Sequence, residues 1–237
     1  MRAVNRMFFY MVKEITQEMM MLMLCVAPVL AGLFFRIGIP ILENTILKHY
    51  GLEGMLVPYY EMFSWLLAML TGMLFAFVGG LVVLGEIDDN VAKYIMITPV
   101  GMRGYLSSRI MLPALCSGVL TLVLVPLFSL VAIDIARLLV MVISTVLSGI
   151  VTTLLVVAIS SNKVEGMAVG KLSGLFGMMF FVPFVITGTI KYLFFLFPMF
   201  WIGEWSRSGG WGNWMAALIE FLVWIYILCL LFQKKMK

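Results

Sequence analysis

Six apolar stretches, each about as long as a helix needs to be to cross a lipid bilayer, constrain this sequence more than any other feature. A hydrocarbon core about 30 Å thick is spanned by roughly 20 residues of helix. The stretches run from about Met19 to Gly38, Tyr60 to Leu84, Leu106 to Leu130, Leu138 to Ser160, Leu172 to Ile190 and Trp214 to Phe232. Hydrophobic residues make up 63% of the chain and charged residues only 12%, too little polar surface to enclose so much apolar surface in water. The expected fold is an all-α integral membrane protein with six transmembrane helices, forming one transmembrane domain over residues 1–237. Membrane lipid is its first partner.

Charge orients the spans. Lys and Arg concentrate on the cytoplasmic side of membrane proteins. Of the sixteen here, eleven fall on one side: before the first span, after the second and fourth, and in the C-terminal tail. The other five, Arg36, Lys48, Arg137, Lys191 and Arg207, fall opposite. The chain is therefore expected in the cell membrane, multi-pass, with N- and C-termini cytoplasmic. The net charge of +4 follows from this asymmetry, and its counterpart is the anionic inner leaflet rather than nucleic acid. Lys13, Glu14 and Glu18 precede the first span and no small-residue cleavage site ends it, so the N-terminus is expected to stay attached.

Little in the inventory supports catalysis. Cys25, Cys116 and Cys229 fall inside spans without ligand spacing, and His49 is the sole histidine, so no metal site and no catalytic residues are expected. Gly166 to Lys171 is superficially similar to a phosphate-binding loop. Only three residues separate its glycines where four are needed, and Leu172 replaces the magnesium-binding Ser or Thr. Gly166, Gly170, Gly174 and Gly177 instead have the spacing that lets another helix approach closely. Among ionisable residues near the spans, Asp134 and Arg137 have the spacing of a local ion pair. Glu220 lies about two turns into the sixth span and needs a partner, a polar cavity or a proton; substrate contact and structural pairing both satisfy that need.

Three segments outside the spans carry information. Over residues 1–18, a helical wheel gathers Arg2, Arg6, Lys13 and Gln17 on one side and Val4, Phe8, Met11 and Ile15 on the other, the pattern of an interfacial amphipathic helix. Residues 85–105 contain a short helical segment opened by Asp88, Asp89 or Asn90 and stopped by Thr98-Pro99, with Val91, Tyr94 and Ile95 on one face. From physics alone this segment reads equally as a docking helix or a solvated turn. Residues 191–213 hold Phe194, Phe195, Phe197, Phe200, Trp201, Trp205 and Trp211, which suit an outer aromatic belt or a half-crossing element whose open backbone groups protein buries.

Taken with the six spans, the interfacial helix and the run from Glu86 to Ile97-Thr98-Pro99-Val100 resemble the type-2 export permeases of the ATP-binding-cassette (ABC) transporters. The chain departs from their frequent Arg-Glu-x-Gly-Thr pattern, carrying Ile87-Asp88-Asp89-Asn90 instead. The resemblance implies that the cytoplasmic segment is a coupling helix and that the aromatic segment includes a re-entrant outer element. It makes Glu86, Asp88, Asp89, Val91, Tyr94, Ile95, Thr98, Pro99 and Arg103 the ATPase-coupling residues. It also implies two separate ABC ATPase subunits per complex, which would hold ATP and magnesium, and a second permease copy or homologous permease. This chain would need no cofactor of its own. The function so implied is the membrane-spanning subunit of an exporter of an amphipathic drug, peptide or lipid-like substrate, with Glu220 a candidate for the substrate path. A non-transporting immunity or sensor protein of the membrane is the alternative.

Overall fold

The computed structural model describes residues 2–47, 49–51, 54–96, 101–186 and 188–235. In chain order it forms α1 (Arg2–Gln17), α2 (Met19–Thr45), α3 (Val57–Asp88), α4 (Val91–Met96), α5 (Gly104–Phe128), α6 (Ile135–Ile159), α7 (Lys163–Val185), α8 (Pro198–Ser208) and α9 (Trp211–Lys235). No strand occurs among the described residues. Six of these helices, α2, α3, α5, α6, α7 and α9, are long and apolar enough to span a membrane.

The bundle is organised around α3 and α6. Small residues bring their backbones together: a Cβ on Gly72 would stand 2.9 Å from Thr145. Thr145 donates its hydroxyl to the Ala68 carbonyl at 3.2 Å, and Thr153 donates to Ala76 at 2.9 Å. Hydroxyls that answer carbonyls across a helix pair are the polar contact available where water is excluded.

Several ends differ from the sequence expectation. The second span does not stop at Leu84 but runs on through Asp88, which moves Glu86 and Asp88 from the loop into α3. A long-range partner, described below, allows Glu86 to remain helical and buried. The fifth span begins at Lys163 rather than Leu172, because Asn162 caps it by accepting from the Glu165 N–H at 2.9 Å. The first span continues past Gly38 to Thr45 through two π-helical turns, which accommodate Pro40.

Even span counts return the chain to the side it left, and the contacts agree. Lys163 bonds Glu18 at 2.6 Å, and the Lys163 N–H donates to Asp88 at 2.9 Å. Lys235 donates to the carbonyls of Val157, at 2.7 Å, and Ser160. The N-terminal helix, the α3–α5 connection, the α6–α7 connection and the end of α9 therefore share one end of the bundle. At the other end Arg36 donates to the Ser129 carbonyl at 2.7 Å, Tyr60 to Glu43, and Arg137 to Glu61. Asp134 does not pair with Arg137 as its spacing suggested. It caps α6 by accepting from the Ala136 N–H, while Arg137 reaches across to α3.

Candidate functional site

At the α1 end, α3, α4 and α5 meet around a buried charge. Glu86, 8% exposed, lies at the last turn of α3 and faces Arg109, 4% exposed. Arg109 Nε donates to both Glu86 oxygens at 3.0 and 3.1 Å, and its Nη2 adds a further contact. Tyr105, wholly buried one turn earlier on α5, donates its hydroxyl to Glu86 Oε2 at 2.8 Å. Ser107–Met111, which carries Arg109, is a π-helical segment, a form that recurs at functional sites in other helices. Glu86 thus turns inward and is not presented on the surface as a docking residue would be.

The short helix α4 hangs from this point. Asp89 closes α3, and Asn90 takes a left-handed conformation, φ 60°, that a short polar side chain tolerates better than most. The anticipated apolar face is split. Ala92 is fully buried against the cluster of Leu84, Tyr105 and Val156, and Ile95 packs beside it, whereas Val91 and Tyr94 are exposed, Tyr94 at 69%. Asp88 and Asp89 are exposed, and Asp88 is engaged by the α7 N-terminus. Thr98 and Pro99 lie outside the described residues, as does the side chain of Arg103.

Next to α4 opens a cleft of about 570 Å³, lined by Tyr10, Lys13, Glu14 and Gln17 of α1, Glu86 and Asp89 of α3, Val91 and Ile95 of α4, and Arg109. One side of α1 meets the bundle as the wheel suggested, Met11 and Ile15 packing with Met21, Val78, Leu81 and Val82. Glu14 faces the cleft. Burial, then the charge of Glu86, pushes its carboxyl above the usual glutamate value, against the opposing pull of Arg109 and Lys163.

The remaining expected residues lie elsewhere. The glycines of α7 turn toward α3: a Cβ on Gly166 would stand 2.2 Å from Leu84, on Gly170 2.1 Å from Phe77, and on Gly177 2.8 Å from Met73, while Gly174 leaves 3.9 Å to Met73. Glu220 is half-buried on α9 with no hydrogen bond or ion pair among the described residues. At the far end, α8 packs into the bundle. Its start, Pro198 and Met199, shares a small cavity with Ser148, in the middle of α6, and with Phe221, and at about 16 Å it is half the length of a crossing helix. Met199, Phe200, Ile202 and Trp205 are buried, and Trp205 lies against Trp65 and Trp214. Lys191 pairs with the buried Glu204, tying α8 to the turn before it.

Sequence reasoning missed Tyr105, Arg109 and Ala92. Arg109 is one of the eleven charges that orient the chain, yet an Arg three residues into an apolar span asks for a carboxylate, and Glu86 lies just past the end of the neighbouring apolar stretch.

These features define a multi-pass helical membrane protein with a charged cleft at one end and an aromatic cluster at the other. The family described as "Fluoroquinolones export permease protein Rv2686c-like" matches residues 11–232. The chain belongs to this family of export permeases. Neither a curated protein nor a solved structure matches it significantly.

Proposed function

We propose that the chain is the membrane-spanning permease subunit of an ATP-driven ABC exporter, lying in the cell membrane with both termini cytoplasmic. Two copies, or this chain with a homologous permease, form the path; two separate ATPase subunits bind and hydrolyse ATP with magnesium beneath it. The observation that carries this reading is α4: Ala92 anchors it to the bundle while Tyr94 and Val91 are held outward beside a cleft. Aromatic anchors placed this way are the residues on which protein interfaces concentrate their energy. The family's description names fluoroquinolones, amphipathic aromatic drugs of the kind expected here, and a fluoroquinolone is the substrate we assign.

The test is co-purification and transport in the same membranes. Permease purified from its native membranes should bring an ABC ATPase with it, and cells expressing the permease should accumulate less fluoroquinolone. Losing one central interface anchor costs about 2 kcal/mol or more, so Tyr94→Ala should weaken retention more than about tenfold. A wild-type chain that retains no ATPase and leaves drug accumulation unchanged would favour a membrane immunity or sensor protein instead.

A further inference from the structure

We propose that Glu86, Arg109 and Tyr105 form the joint through which displacement of α4 reaches α5, and that they are positioning residues for export. This rests on the exporter reading and assigns to it a transmission element. α4 is six residues long and joined to α3 by a two-residue turn, so a push on Tyr94 arrives at the last turn of α3. That turn is fixed to the next long helix by one carboxylate, which accepts from Arg109 and from Tyr105.

Stability is a weak explanation for such an arrangement. Taking both charges out of water offsets most of their attraction, and buried pairs are often replaced by apolar residues without loss. What the pair supplies is register: a guanidinium gripping both oxygens of one carboxylate admits one relative placement of the two helices. The grip falls on the π-helical turn Ser107–Met111, a local departure from α-helical winding of the kind that recurs at functional sites. α1 packs against the same turn, and the cleft bordered by Glu86 and Arg109 leaves space on that side for the joint to move. The three side chains are buried, so they act through the helices and not by contact with nucleotide.

The experiment uses the complete permease–ATPase complex in proteoliposomes, measuring ATP hydrolysed and a fluorescent fluoroquinolone transported in one sample. Conservative variants keep the assembly intact: Tyr105→Phe, Arg109→Lys and Glu86→Gln. Each is expected to retain the ATPase and hydrolyse ATP at close to the wild-type rate while moving at least about fivefold less drug per ATP. The charge swap Glu86→Arg with Arg109→Glu should recover part of that ratio. If Tyr105→Phe and Arg109→Lys assemble and keep the wild-type ratio, the joint is a packing feature and the inference falls while the exporter reading stands. If the wild-type complex itself transports nothing, both fall. A loss of hydrolysis and transport in equal proportion would also overturn it, since that is what impaired docking or folding produces.

Discussion

The two ends of the bundle solve opposite problems. At the α8 end the chain packs aromatic side chains on one another, Trp205 and Phe180 both against Trp65, and Lys191 pairs with the buried Glu204. At the α1 end Tyr10, 70% exposed, lines an open cleft, and Tyr94, 69% exposed, stands on α4 between the cleft-lining Val91 and Ile95. Large side chains are exposed at both ends, Trp211 at 60% among them, but at the α1 end they stand beside a cleft bordered by Glu86 and Arg109.

The comparison breaks most sharply at the buried charges. Arg109→Ala leaves Glu86 buried without its cation, so thermal unfolding in detergent should register a loss of about 3–5 kcal/mol. Gly203→Ala at the α8 end should come next. Its Cβ would meet the Phe180 carbonyl at 2.2 Å, backbone that cannot swing aside, and overpacking of this kind costs about 1–3 kcal/mol in the same measurement.

The pH dependence of the α1 end provides a smaller effect of known sign. Because Glu14 has its pKa raised by folding, its contribution to stability is fully present below the ordinary glutamate value and is lost as pH rises through the raised one. Glu14→Gln should flatten the fall of the melting temperature as pH rises above the ordinary glutamate value. A variant whose profile overlays the wild type would place Glu14 in water. Smaller still is Arg137→Ala, which removes a pair that is 44% exposed at Arg137 and 32% at Glu61 and should cost no more than about 1 kcal/mol. Tyr94→Ala should leave stability within about 0.5 kcal/mol while weakening ATPase retention, separating the exposed residue from its buried neighbours.

Hydropathy made the spans legible, since each helix must carry its own apolar run. Their ends were not. The continuation of α3 to Asp88 depends on Arg109, twenty-three residues away, and no local rule places a carboxylate and a guanidinium opposite each other across two helices. Asp134 and Arg137 failed in the same way: a correct spacing described a local pair, while Glu61, remote in sequence, took the guanidinium. Local chemistry did better where it was steric. The four-residue rhythm of glycines in α7 pointed to a close helix contact because only a missing side chain, repeated on one face, produces that rhythm.

Where Gly170 meets Phe77, one ring occupies the volume that any larger residue on α7 would claim. The two positions therefore share a single allotment of space, and neither is free to drift by itself. In related chains an alanine or serine at the place of Gly170 should be accompanied by a smaller residue at the place of Phe77. The history of this contact should thus be written in paired changes, not in the invariance of a glycine.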